Sequence, residues 1–161
     1  MSEVRAARPE DAVEISAVLI ASIRELCAPD HEGDAAAIEA WIANKTPEHV
    51  AVWLEGAHGV RVAVEGEEIV AVGAVSGSVS GGGEVLLLYV APEHRGKGHS
   101  AALLEVLEAE LAQAGHAEAT LVSTKTAHGF YLSRGWRNDG PEVDCFRTRG
   151  QPMRKALGGG P

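Results

Sequence analysis

Strand-type and helix-type patterns alternate along this chain, which predicts an α/β (α+β) fold around one central sheet. Three observations carry that prediction. The run Val85 to Val90 is unbroken, apolar and rich in branched side chains, as suits a strand buried on both faces. Leu103, Leu104, Leu107 and Leu111 then recur at helical spacing, so the strand passes through a short turn into a helix. Upstream, Gly59–Glu65 and Glu68–Val75 read as two strands with turn residues between them.

The other elements follow from the N-terminus. Ser2 to Ala7 alternates weakly and reads as a short first strand. Pro9-Glu10-Asp11 opens a helix, with proline in the first turn and acids at the positive end of its dipole. Ile15, Leu19, Ile23 and Leu26 form its apolar stripe, and it ends near Cys27, before Ala28-Pro29. Asp30 to Asp34 reads as a polar loop. Asp34 caps a second helix with Ile38, Trp41 and Ile42 on one face. Thr46-Pro47-Glu48 marks another helix start, which Val50, Trp53 and Leu54 carry to Gly56. After the strand pair, broken at Gly66-Glu67, residues 76–83 form a flexible glycine- and serine-rich hairpin connection.

Pro92 stops the central strand, because proline cannot donate to a sheet ladder. Gly115 suits the C-cap of the central helix. Glu118 to Ser123 is a fifth strand, and Thr124 to Arg134 a short helix closed by Gly135 and Trp136. Residues 143–148 and 152–157 suit two closing strands. Residues 1–157 therefore read as a single domain, and 158–161 as a disordered tail.

Composition bounds the function. A chain of 161 residues is most simply one domain with one core. Its 45% apolar and 23% charged residues are ordinary for a soluble globular protein. A net charge of −9 argues against general nucleic-acid binding and is compatible with cationic acceptors such as amines. No stretch has the apolar length of a membrane span, and the N-terminus lacks the layout of a secretion signal. Cys27 and Cys145 lie far apart, giving neither a disulfide framework nor metal-ligand spacing, so no metal is expected. A reducing cytoplasm is the simplest location.

The turn after the central strand carries the chemistry. Arg95-Gly96-Lys97-Gly98 joins a buried strand to a helix N-terminus, where unpaired N–H groups and the helix dipole suit an anionic phosphate. The spacing is neither that of a P-loop nor that of a Rossmann turn. What stands here is Arg-x-x-Gly-x-Ser from Arg95 to Ser100, directly after Leu-Tyr-Val-Ala-Pro. This closely resembles the acetyl-CoA loop of the GNAT N-acetyltransferase superfamily, Gln/Arg-x-x-Gly-x-Gly/Ala, with Ser100 departing from the pattern. A second stretch, Ala127-His-Gly-Phe-Tyr-Leu-Ser-Arg-Gly-Trp136, resembles the family's Ala-x-x-Phe/Leu-Tyr-x-x-x-Gly-Phe, and only the final aromatic differs. The resemblance is specific across Glu84–Trp136.

The resemblance implies a mixed, mostly antiparallel sheet of about seven strands with helices on both faces. Its layout is strand, two helices, three strands, helix, strand, helix, two strands. Strands four and five splay apart, and acetyl-CoA, the acyl donor, lies in the wedge between them. Backbone groups of Leu88, Tyr89 and Val90 are expected to pair with the pantetheine arm, the Val90 N–H polarising the thioester carbonyl. Backbone N–H groups of Gly96, Lys97, Gly98, His99 and Ser100 are expected to hold the pyrophosphate, with Arg95 and Lys97 adding charge. Thr124 and Phe130 are placed beside the cofactor. Tyr131 falls on the residue many family members use as general acid, and a phenol stays protonated at neutral pH.

The base is open: Glu84 opens the central strand where some members place a glutamate, and His99 and His128 are further imidazoles in the region. The acceptor pocket is expected from the first two or three helices, the loop between them and the hairpin before Glu84, with Ser22, Arg24, Glu25, Asp30, His31, Trp41 and Trp53 as candidates. For both tryptophans the apolar neighbours at helical spacing favour a role as core anchors. The reading is therefore an acetyl-CoA-dependent N-acetyltransferase acting on a primary amine, small-molecule or peptide, in a direct ternary complex. Neither cysteine falls on a motif position. A non-catalytic acyl-CoA-binding or regulatory module is the alternative, and family members are often homodimers.

Overall fold

The computed structural model describes residues 3–56, 59–76, 83–145 and 148–157. Ser2, most of the hairpin connection (77–82) and the tail (158–161) lie outside the described residues.

Strand β1 (Glu3–Ala6) is followed by a 3-10 turn at Pro9–Asp11 and helix α1 (Ala12–Leu26). Asp11 fixes this junction: its carboxylate receives Arg5 Nη1–H at 2.8 Å and the Arg8 backbone N–H at 2.7 Å. Among the described residues four α-helices separate β1 from the next strand, where the sequence pattern predicts three and the family layout two, because α2 (Ala28–His31) forms where a polar loop was expected. Pro29 sits in the first turn of α2. His31 is buried, with Nε2 2.8 Å from the Ile23 carbonyl and Nδ1 accepting from the Gly33 N–H at 3.0 Å. An imidazole satisfied at both nitrogens can be buried, which is why this polar stretch packs.

Helix α3 (Ala35–Ile42) is capped by the Asp34 carboxylate, and α4 (Pro47–Glu55) by the Thr46 hydroxyl, as the cap residues predict. Strands β2 (Gly59–Glu65), β3 (Glu68–Ser76) and β4 (Gly83–Val90) follow, then α5 (His99–Gln113), β5 (Glu118–Ser123) and α6 (Lys125–Ser133). The closing segment makes three strands where two were expected, β6 (Arg137–Asn138), β7 (Val143–Cys145) and β8 (Thr148–Ala156). Among the described residues the sheet has eight strands, with order β1-β2-β3-β4-β5-β8-β6 and β7 also on β8. Every pairing is antiparallel except β4 with β5.

Period-two alternation gives the sheet two apolar faces. Val60, Val62 and Val64 pack with Ile15, Leu19 and Val50 of α1 and α4. On the other face Ala63, Val70 and Ala71 pack with Leu103 of α5. Gly73 lets α5 lie close: a Cβ there would stand 2.8 Å from Leu107 Cδ1. Trp136, the aromatic that departs from the family pattern, is fully buried with Tyr131, Leu104 and Met153, and its indole N–H donates to Glu108 Oε2 at 3.1 Å. Among the described residues no helix is long and apolar enough to cross a membrane.

Candidate active site

The site begins with a bend in β4. Val75 lies opposite Val85 but Ala74 lies opposite Leu87, so Leu86 is an extra residue, a β-bulge. A bulge bends its strand and raises its twist. Beyond it β4 leaves β5: among the described residues the two are paired only at Gly83–Ala119 and Glu84–Thr120. The expected burial of β4 on both faces is accordingly not found. Leu86 is 40% exposed and Leu87 to Val90 are half-buried, because the neighbour that would cover them has splayed away.

Backbone direction alternates along an antiparallel strand. The Ala91 N–H donates to the Val70 carbonyl of β3 at 2.8 Å, and Tyr89 stands opposite Val72. Tyr89 therefore turns its backbone to β3, and Leu88 and Val90 turn theirs to the open wedge. This narrows the expected pairing set: of Leu88, Tyr89 and Val90, Tyr89 offers its side chain rather than its backbone. That side chain is itself anchored, its hydroxyl accepting from Trp41 Nε1–H at 3.1 Å.

The wedge is a cleft of about 440 Å³. Arg95, Gly96, Gly98, His99 and Ser100 line one end of it, where α5 begins. Gly96 and Gly98 have φ of +83° and +85°, left-handed values that glycine adopts without strain. A Cβ on either would meet no atom within 4 Å, so the turn faces open space. The first turn of the 15-residue α5 has N–H groups beyond its own ladder, aimed at that space.

Helix α6 forms the facing wall. It is capped twice: Thr124 Oγ1 accepts from Ala127 N–H at 3.0 Å, and Asp30 accepts from Lys125 N–H at 2.6 Å and Thr126 Oγ1–H at 2.7 Å. Asp30 is thus a clamp between α2 and α6 rather than an acceptor-pocket residue. Tyr131, Phe130 and Thr124 line the cleft as expected. Tyr131 is 5% exposed, edge-on to Phe130 and Trp136, and burial raises its phenol above the ordinary range. Arg134, 5.8 Å above the Phe130 ring, also lines the cleft. Its position one turn after Phe130 is the signal that would have found it. Cys27 lines the cleft too, and burial first, then Asp30, pushes its thiol up to about 12. Such a thiol is a poor nucleophile at neutral pH.

A second cleft of about 300 Å³ lies across the same strand and shares Val85, Leu86, Leu87, Tyr89, Val122 and Thr124 with the first. Glu84 lines this second cleft, with Trp41, Trp53, Lys45, Cys145 and Arg149. Lys45, buried, donates from Nζ to Asn44 Oδ1 at 2.7 Å, and burial lowers its ammonium to about 8. Burial likewise raises the Cys145 thiol, while the nearby Lys45 lowers it. Lys45 and Arg149 carried no motif signal.

Several expected residues stand elsewhere. Lys97 is outside the lining of both clefts, with Nζ 3.2 Å from His94 Nδ1. His99 lines the first cleft, but its ring meets Glu65 Oε2 at 3.0 Å; His128 lies outside the lining of both clefts and meets Asn138 Oδ1 at 2.7 Å. Arg24 and Glu25 are exposed, Arg24 pairing with Glu39 at 3.4 Å. His31 is spent on Ile23 and Gly33, and Ser22 is buried and lines the first cleft.

A sheet opened by a bulge, beside a glycine turn at a helix start, defines the class to which this molecule belongs. The Acetyltransferase (GNAT) domain family model matches residues 27–157, and the chain belongs to that family. Solved structures agree in fold. A GCN5-related N-acetyltransferase from Rhodopseudomonas palustris superposes with a TM-score of 0.84 at 24% identity, covering 97% of this chain and 96% of that one. PaiA N-acetyltransferase from Thermoplasma acidophilum, in complex with coenzyme A, gives 0.81 at 19%, over 97% and 99%. YncA from Salmonella typhimurium, with its cofactor acetyl-CoA, gives 0.72 at 20%, over 98% and 94%. No curated protein matches this chain in sequence.

Proposed function

We propose that this protein is an N-acetyltransferase that moves an acetyl group from acetyl-CoA to a primary amine by direct attack. The observation that carries this reading is the wedge itself. Leu88 and Val90 present unpaired backbone to it, and it ends at the glycine turn of α5. The wedge fits acetyl-CoA: the open turn suits a pyrophosphate, Arg95 adds charge, and the β4 edge suits an extended amide-bearing arm. The coenzyme A complexes among its structural neighbours support the same reading.

Acetyl-CoA supplies the activated thioester; the chain supplies position and protons. The Val90 N–H donates to the thioester oxygen, where charge develops. The Tyr131 phenol, kept protonated by burial, gives its proton to the departing sulfur. The amine enters from the second cleft, where Glu84 is placed to take its proton. Cys27 and Cys145, both with raised thiols, favour direct transfer over an acyl-cysteine relay.

Calorimetric titration with acetyl-CoA, followed by an amine panel read by release of CoA thiol, tests the reading. Binding with thiol release on one amine class is expected. Binding without turnover on any amine, peptide amines included, would transfer the molecule to the acyl-CoA-binding reading.

A further inference from the structure

We propose that Glu65, His94 and His99 form a binding site for a divalent transition-metal ion, zinc by the chemistry of the donor set. The three residues come from the end of β2, the 3-10 turn before Arg95, and the first residue of α5. Their ligand atoms all lie within 4.8 Å of one another. Glu65 Oε2 is 3.0 Å from His99 Nε2 and 3.4 Å from His94 Nδ1. Zinc–nitrogen and zinc–oxygen bonds near 2.1 Å set tetrahedral edges of about 3.4 Å, so these separations suit one ion. Two imidazoles and a carboxylate are a zinc set that leaves the fourth position to water.

The hydrogen bonds around His94 supply an independent observation. Glu68 Oε2 lies 3.1 Å from His94 Nε2, so a neutral His94 donates there and keeps its lone pair on Nδ1. That lone pair faces the Glu65 carboxylate, a meeting of two acceptors that calls for a proton on His94 or a cation between or beside them. Lys97 fills that need now, its Nζ 3.2 Å from His94 Nδ1 and 3.8 Å from Glu65 Oε1. Its side chain is 48% exposed and free to swing out, whereas those of His94 and His99 are 12% and 2% exposed and held in place. Glu68 is then the outer carboxylate that orients a metal-bound histidine. Because the ligands flank Arg95–Gly98 on both sides, an ion here ties that turn to the β2–β3 hairpin.

The test is titration of the metal-free full-length chain with Co²⁺, followed by displacement with Zn²⁺. A single ion per chain is expected, with the intense visible bands of four-coordinate Co²⁺, lost on adding Zn²⁺. Glu65→Gln should weaken binding by more than about tenfold, and Glu68→Gln, which removes only the orienting group, by about tenfold. His94→Ala should abolish the bands, with circular-dichroism melts confirming that each variant folds. Absence of four-coordinate bands in the parent chain would overturn the proposal. So would bands that survive equally in Glu65→Gln and His94→Ala, since the ion would then sit elsewhere.

Discussion

The two clefts share one wall and are built in opposite ways. The first is made mostly of one stretch of chain, strand β4, the turn, the start of α5, β5 and α6, with the end of α1 closing it. Much of what it offers is backbone, the free edge at Leu88 and Val90 and the N–H groups at the head of α5. The second collects side chains from α3, the loop after it, α4, β4, β7 and β8. A site made of backbone needs glycines, a proline stop and a helix start, all local in sequence. A site made of side chains from scattered segments needs the tertiary fold first. In our reading the first kind of site holds the acyl donor and the second the acceptor.

Disrupting one cleft while sparing the other should separate their roles. Gly98→Asp has the largest expected effect. A left-handed φ costs a side chain about 1–2 kcal/mol, and the new acid would face the phosphates. Acetyl-CoA binding should weaken by about 100-fold or more by calorimetry; unchanged binding would refute the turn assignment. Tyr131→Phe should lower kcat by about 100-fold while leaving the acetyl-CoA Kd within about twofold, since only a proton donor is lost. Equal rates in the two enzymes would make Tyr131 structural.

Lys45→Met probes the other cleft. It should change the amine KM by several-fold with no change in acetyl-CoA Kd, and equal shifts in both would merge the clefts. It also carries a stability signature. The folded ammonium titrates near 8 and the unfolded one near 10.5. At neutral pH both are charged and the native state bears the desolvation cost, so Lys45→Met should be stabilising there. Between pH 8 and 10.5 the unfolded chain binds more protons, so the wild-type deficit should shrink as pH rises. Denaturant melts of the pair across that range check the sign.

Asp11→Asn is the smallest case and touches neither cleft. The Arg5 hydrogen bond, foremost, holds the Asp11 carboxyl below its usual range. Its contribution is therefore present above the unfolded pKa and fades as pH falls through the folded one. The substitution should cost about 1–2 kcal/mol near neutral pH, less in acid, with acetyl-CoA binding unchanged.

The same division explains what could be read from the sequence. The strand pair, the helix caps Asp34 and Thr46, the Arg95–Ser100 turn and Tyr131 were legible because each is a local pattern. The bulge at Leu86 was not, since an apolar run shows no register. Nor was α2, whose polar residues are satisfied by partners on α1 and α6. Asp30 and His31 looked available for a substrate, but their acceptor and donor atoms are consumed by the fold. Lys45 and Arg149 reach the second cleft only through long-range packing.

The most direct measurement is residue-resolved amide hydrogen exchange on the chain with and without saturating acetyl-CoA. The Leu88 and Val90 amides, open to the wedge, should gain protection, while the Tyr89 amide, already turned to β3, should not change. Protection elsewhere with Leu88 and Val90 unaffected would contradict the central claim that this splayed strand is the acyl-CoA site.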